Sequence, residues 1–359
     1  MRNLFENDIV QEDLETIYLS SDKKWEELRD KTILISGAYG MVASYFVYYF
    51  IYLNEKYNFN ITIIATGRER HKAEERFGKA MKYQYFRFLE QDISETIEYG
   101  KKIDYIIHAA SPASSSYYNK DPVSVIKPNV LGTMNTLDLA TSKKSKGYLY
   151  VSTGEIYGAI KKQTIVESDC GVEINTLDVR NCYCESKRLG EMLCCSYQHQ
   201  YHVPIKIARL GHTFGPTLSL NDERVFSQFI NDILFDRNIT LNSDGTAIRT
   251  FCYISDAVSG MLKILLEGDG AYNVTNKDGR ISIVDLANLL VSLYPDKNLQ
   301  VKYQTPDTDN KYIENPHKIH SRYDTNRLEA LGWKCKYGIE ESFKRTIASI
   351  VHENDCSNY

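Results

Sequence analysis

Short, nearly uninterrupted apolar runs recur along the chain. They predict buried strands at Thr32–Ser36, Ile61–Ala65, Tyr85–Leu89, Ile103–Ala109, Gly147–Ser152 and Ile205–Leu210. Helical stretches separate most of them. The run from Met41 to Leu53 is too long for a strand and apolar on almost every face, so it predicts a crossover helix buried all round. Strands that alternate with helices predict an α/β fold with a doubly wound parallel sheet, because parallel neighbours need a long crossover between them.

The pattern loosens beyond Gly211. Turns are expected at Gly215-Pro216 and Asp244-Gly245, a helix at Val225–Leu234 and a helical tail after Ile281, with Asp256–Leu266 returning to the main sheet. This divides the chain into a polar N-terminal extension (1–30), expected to form one or two helices on the outside, and a main α/β domain (31–211, with a return of about 251–270), the one that carries the glycine turn read below as dinucleotide-binding. The rest (212–250 and 271–359) is a smaller C-terminal lobe for the substrate. A lobe attached at the carboxyl ends of the strands closes over a ligand bound there.

Composition narrows the class. The 359 residues carry 43 basic and 47 acidic side chains, a formal charge of −4, which offers no general attraction to nucleic acid or anionic membranes. Met1–Asp30 has no apolar signal-like core, and no stretch of eighteen uncharged apolar residues occurs, so a cytoplasmic protein is expected. The eight cysteines form no C-x-x-C pair, which predicts reduced thiols and no metal site.

Chemistry first becomes legible at Gly37-Ala38-Tyr39-Gly40-Met41-Val42-Ala43, between the first strand and the first long helix. Gly37 and Gly40 allow the backbone to turn tightly and approach a pyrophosphate, whose charge suits the N–H groups at the helix start, as in a Rossmann-like fold. The second strand ends in Ala65-Thr66-Gly67-Arg68-Glu69-Arg70, where a ribose-binding carboxylate would stand for NAD. Arg68 is able to pair with a 2′-phosphate instead, a lean toward NADP over NAD. Asp92 either accepts from an adenine amino group or caps its own strand end.

Tyr183 and Lys187 lie four residues apart, on one face of a helix. A nearby ammonium and an oxidised nicotinamide both favour a phenolate, making Tyr183 a candidate proton acceptor in alcohol oxidation. In Ser152-Thr153-Gly154-Glu155, after the fifth strand, the Thr153 hydroxyl can bond the reacting oxygen. Glu155, two residues on, would then face the substrate beside the reacting carbon.

Together with His108-Ala109-Ala110-Ser111-Pro112, Asn129-Val130-Leu131-Gly132-Thr133, Phe214-Gly215-Pro216 and Arg249-Thr250-Phe251, these motifs resemble the extended short-chain dehydrogenases/reductases of the nucleotide-sugar epimerase/dehydratase family. The resemblance spans nearly the whole chain from about Lys31. It implies a tightly held NAD or NADP lined by Gly37, Tyr39, Gly40, Met41, Arg68, Asp92, Ile93, Ala109, Ala110, Ser111, Asn129, Tyr183 and Lys187. It implies a nucleotide-diphosphate sugar held by Ser111, His212, Arg224, Val225, Arg249 and Arg322, with Thr153, Glu155, Tyr183 and Lys187 catalytic and no metal. Tyr117 and Tyr118 are further candidates for the sugar pocket. A homodimer through the helix of the Tyr–Lys pair and the helix before it is expected, with Leu189–Tyr197 supplying apolar surface.

The implied reaction begins with oxidation at the sugar C4 and branches to 4,6-dehydration, decarboxylation or 4-epimerisation. The same motifs would also serve a net 4-keto-sugar reductase or a catalytically silent dinucleotide sensor. Local similarity is greatest to UDP-glucuronate decarboxylases, in Ser111-Pro112-Ala113-Ser114, Tyr183–Arg188 and Asn221–Val225. Three departures stand against simple transfer. Gly154 replaces the acid of dTDP-glucose dehydratases, Ser321 replaces a decarboxylase arginine before Arg322-Tyr323-Asp324-Thr325, and His212 replaces a phosphate-contacting asparagine. An imidazole there would make binding pH-sensitive.

Overall fold

The structure, a computed structural model, describes residues 4–20, 24–113, 115–158, 160, 162–171, 174–304 and 322–356. Ser114 and Ser321 lie outside them. The first half runs α1 (Asp8–Leu19), β1 (Thr32–Ser36), α2 (Met41–Tyr57), β2 (Thr62–Gly67), α3 (Arg70–Phe77), β3 (Phe86–Glu90), β4 (Tyr105–His108), α4 (Ser115–Lys120), α5 (Pro122–Lys143), β5 (Gly147–Thr153), β6 (Thr164–Ile165), α6 (Cys182–Tyr201) and β7 (Ile205–Leu210). The second half continues with β8 (His212–Phe214), α7 (Val225–Leu234), β9 (Ile239–Leu241), β10 (Ile248–Tyr253), α8 (Ile254–Glu267), β11 (Gly270–Val274), β12 (Arg280–Ser282), α9 (Ile283–Ser292), β13 (Val301–Tyr303), β14 (Arg322–Tyr323), α10 (Asn326–Glu329) and α11 (Ile339–Cys356).

Seven strands make one parallel sheet in the order β11-β7-β5-β4-β1-β2-β3. Register aligns the carboxyl ends: Ser36 pairs with Thr66 and His108, and Thr153 with Leu210. All motif loops therefore emerge on one rim. A cavity of about 440 Å³ lined by Glu27, Lys31, Tyr105 and Lys146 opens at the amino ends, away from that rim. The expected return of Asp256–Leu266 proves to be α8, and the strand that completes the sheet is β11, beyond the anticipated boundary at 270.

Helix α2 is buried from Ala43 to Asn54 because the sheet covers one side and the N-terminal extension covers the other. Val10, Leu14 and Ile17 of α1, with Trp25 and Leu28, belong to the same core cluster. The extension is thus part of the core rather than a surface addition. Asp13, fully buried in α1, accepts hydrogen bonds from the hydroxyls of Tyr45 on α2 and Tyr253 on β10, and pairs with Arg345 of α11 at 2.8 Å. A second core gathers Phe214, Phe226, Phe251, Leu286 and Phe343 from β8, α7, β10, α9 and α11. No helix among the described residues is long and apolar enough to cross a membrane.

Candidate active site

Gly37 adopts φ +65°, and a Cβ there would lie 2.7 Å from the Ala110 Cα, so only glycine fits. The Ser36 hydroxyl accepts from the N–H groups of Ala109 and Ala110 at 3.0 and 3.2 Å, which leaves its single proton for His108 Nδ1 at 2.8 Å. That fixes a neutral His108 with its proton on Nε2, in keeping with a pKa pushed down to about 3 by burial and by Lys187.

Gly40 caps α2 without a side-chain hydrogen bond, so the N–H groups of the first turn face the rim. Beyond that turn, the Asn129 Oδ1 and Ser111 Oγ are buried and lack partners among the described residues, while Asn129 Nδ2 is held by Ser186 Oγ at 3.0 Å. A glycine turn, a helix start open to an anion and two orphaned buried oxygens fit a dinucleotide.

Tyr39 lies over Gly67 at the β2 tip, where a Cβ would meet its ring at 2.4 Å. Arg68 is exposed just beyond. Asp92 is also exposed and accepts from the Ser94 N–H at 2.8 Å, a strand-end cap. Ile93 is buried against Gly132 of α5, and Met41 opens α2 with its carbonyl bonded by Thr217.

The candidate reactive groups meet between β5 and α6. Tyr183 is 7% exposed and lies beside the Thr153 side chain, whose oxygen accepts from the Glu155 N–H at 3.2 Å. Its phenol is pushed up, first by burial and then by the Glu155 carboxylate, against the lowering effects of Thr153 and Arg224. The expected help from Lys187 takes another form. That ammonium donates to the Val151 carbonyl at 2.8 Å and lies 4.8 Å from the centre of the Tyr150 ring. Burial lowers its pKa to about 7, partly opposed by Cys194 and Glu191. Tyr118 of α4 stacks on Tyr183 with ring centres 4.9 Å apart, and the Arg180 guanidinium lies over the Tyr118 ring at 5.0 Å. Tyr117 is half exposed.

Glu155 opens into the cleft, with its side chain 47% exposed and Arg180 at 3.9 Å. Its charge acts on Tyr118, Tyr183 and Tyr323. At Gly154 a Cβ would stand 2.5 Å from the Tyr323 hydroxyl, which explains why no acid is placed there. Arg224, which precedes Val225 at the start of α7, forms a fork on Asp222 and acts on both Tyr183 and His212.

His212 has an open face at the start of β8. Crowding by protein atoms, then Arg249 and Arg224, push its imidazole well down. Both guanidinium groups favour the neutral imidazole. Arg249 reaches the same cleft from β10, donating to the Ile248 carbonyl, and Arg322 stands exposed at the head of β14.

Two groups escaped the sequence reading. Tyr323 gave no signal, being one of 27 tyrosines. Glu191, one helical turn past Lys187, accepts from Ser152 Oγ at 2.6 Å and pairs with Arg209 at 2.7 Å. Its i,i+4 relation to Lys187 was the available clue.

Comparison with known proteins agrees with this geometry. The model of the NAD dependent epimerase/dehydratase family matches residues 33–275. UDP-glucuronic acid decarboxylase 6 of Arabidopsis thaliana is 34% identical over 316 residues, covering 86% of this chain and 85% of the relative. UDP-glucuronic acid decarboxylase 1 of Xenopus tropicalis is 30% identical over 325 residues, 88% and 71% of the two chains. Among solved structures, a UDP-glucose 4-epimerase from Thermotoga maritima superposes with a TM-score of 0.73 at 20% identity, covering 89% of this chain and 99% of that one. A dTDP-glucose 4,6-dehydratase from Bacillus anthracis does so with 0.71 at 18%, covering 90% and 98%. These structures share the Rossmann-type fold. Taken with the site and the sequence relatives, they make the chain a member of the NAD dependent epimerase/dehydratase family.

Proposed function

We propose that the protein converts a nucleotide-linked hexuronate by oxidation at C4 followed by decarboxylation at C5. The observation that carries the reading is the placing of the buried Tyr183 beside Thr153, with the Glu155 carboxylate and Arg180 next to them, on the rim where the glycine turn opens. Decarboxylases of UDP-glucuronic acid are the sequence relatives along most of the chain, which supports a uronate as substrate.

The family's dinucleotide, when bound, takes up a hydride from C4 and returns it at the end of the cycle. Gly37, Gly40 and the first turn of α2 would hold its pyrophosphate, and Asn129 and Ser111 its nicotinamide end. Tyr183 accepts the proton of the 4-hydroxyl through a short path shared with Thr153. The buried phenol is protonated without cofactor, so a cationic ring beside it is what would favour the phenolate. Arg224 and Arg249 bind the diphosphate, while Arg180 and Glu155 govern chemistry on the C5 side. We read Arg68 as favouring NADP, and the unpaired thiols as fitting a cytosolic place of action. Exposed Ile126, Leu131 and Met134 on α5, with Leu189 and Met192 on α6, support a homodimer, whereas Cys194 is turned inward.

A second reading is 4,6-dehydration, favoured by Ser321 in place of the decarboxylase arginine. Incubation with UDP-, dTDP-, GDP- and CDP-linked hexuronates and hexoses, followed by mass spectrometry, decides between them. Loss of carbon dioxide is the expected result. Loss of water, an unchanged mass with an inverted sugar, or stoichiometric consumption of reduced dinucleotide would each overturn it.

A further inference from the structure

Thr153-Gly154-Glu155 is a tight turn, and the space beside its middle residue is filled from a distant part of the chain. β14 pairs with β6 so that Tyr323 lies opposite Ile165, and the Asp324 N–H donates to the Ile165 carbonyl at 2.8 Å. Asn273 Nδ2 on β11 holds the Asp324 carbonyl at 3.0 Å. These main-chain ties aim the Tyr323 ring at Gly154, with Tyr157 at 5.9 Å on its flank. The hydroxyl comes within 2.5 Å of where a Gly154 Cβ would be, at the residue that joins Thr153 to Glu155, and the Glu155 and Arg249 charges both act on it.

We propose that Tyr323 is a second catalytic phenol, which gives its proton to C5 of the oxidised sugar while Tyr183 serves C4. The assignment rests on the decarboxylase reading above. In the 4-keto uronate the C5–C6 bond breaks, its electron pair passes into the C4 ketone as an enolate, and carbon dioxide leaves. The enolate then collapses: the C4 carbonyl re-forms, and the electron pair at C5 takes the proton of the Tyr323 hydroxyl. Water returns a proton to the phenolate, so the step as a whole exchanges one carboxylate for one C–H bond.

Burial and the Glu155 carboxylate push the Tyr323 pKa up to about 12, against Arg249, so the proton is present across the working range. A phenol in that range is a poor acid toward water and still far more acidic than the C–H bond it helps to form. Glu155 is paired with Arg180 and faces solvent, which suits it to orienting the substrate carboxylate more than to storing a proton.

Tyr323→Phe keeps the ring and removes only the hydroxyl. In single turnovers with a nucleotide hexuronate, the reduced-nicotinamide absorbance should appear at the wild-type rate within about twofold, while pentose formation slows about tenfold to a hundredfold. Affinity for the nucleotide sugar, measured by calorimetry, should stay within about twofold of wild type. Gly154→Ala, which displaces the hydroxyl with a methyl group, should show the same split, and Tyr183→Phe should lose the absorbance itself. Wild-type pentose formation in Tyr323→Phe overturns the assignment alone. A wild-type enzyme that leaves every nucleotide hexuronate intact overturns the decarboxylase reading and this assignment with it.

Discussion

Arg209 and Glu191 form a buried ion pair, 2.7 Å between Nη2 and Oε2, that joins β7 to α6 directly beneath the reactive groups. The same carboxylate accepts from Ser152, the residue before Thr153, and lies one helical turn past Lys187. Arg209 also donates to the Tyr157 hydroxyl and the Glu167 carbonyl, at 2.8 and 2.7 Å, so each of its three nitrogens has an acceptor. Both ends of the proposed oxidation machinery are braced by one ion pair.

Removing that carboxylate alone leaves a charged guanidinium buried. Glu191→Ala should cost about 3–5 kcal/mol of stability, read from urea unfolding. Restoring an apolar match with Glu191→Met/Arg209→Leu should recover much of it. A single variant as stable as wild type would show that water enters and solvates Arg209.

Tyr183→Phe should reduce turnover by at least about a hundredfold while dinucleotide affinity changes little. Steady-state rates and fluorescence titration with the dinucleotide check this together. Undiminished turnover would remove Tyr183 as the proton acceptor.

Lys187 is buried with its pKa lowered from 10.5 to about 7. Between those values the unfolded chain binds the extra proton and the folded chain does not, so this residue's contribution to stability rises with pH across that window. Below pH 7 both states carry the charge, and the burial penalty is present in full. Lys187→Met lacks the dependence. The difference in urea midpoint between variant and wild type should therefore favour the variant at pH 6 and shrink toward pH 10.

Asp13 shows the opposite linkage. Burial raises its pKa from 3.8 to about 6, against Arg345, Tyr45 and Tyr253, so the folded state holds a proton that the unfolded state releases. Its contribution is greatest below pH 3.8 and declines as pH rises through 6. Asp13→Ala strands Arg345 and should cost about 3–5 kcal/mol at pH 7. Deleting residues 1–30 strips the outer face of α2, and the truncated chain should unfold at a markedly lower temperature.

Arg68, exposed at the β2 tip, should govern the choice of dinucleotide. Arg68→Ala is expected to weaken NADP about tenfold and leave NAD nearly unchanged, as a charge-assisted phosphate contact requires. Equal effects on both dinucleotides in binding titrations would place the 2′-position elsewhere.

The glycine turn, the helix after it and the Tyr183–Lys187 spacing were legible because each is a local relation. A strand, a turn and an i,i+4 pair are set by a few neighbouring residues and by helical period. The all-apolar run of α2 even announced that both of its sides would be covered. It did not say by what, since the α1 partner is polar at most positions and buries only Val10, Asp13, Leu14 and Ile17. The seventh strand was missed for a similar reason. β11 earns its place only by pairing with β7, some sixty residues away.

What the chain determined by itself was the layered parallel architecture and the chemistry carried on its rim, because hydrophobic period and short motifs act within one element. The tertiary structure alone decided which groups face Glu155, where Lys187 donates and what fills the space at Gly154. Such contacts join residues from 36 positions apart, as in Lys187 with Val151, to hundreds: Asp13 meets Tyr253 across 240 positions and Arg345 across 332. Packing selects such partners by shape and by the need to satisfy buried charge, and no local pattern records that choice.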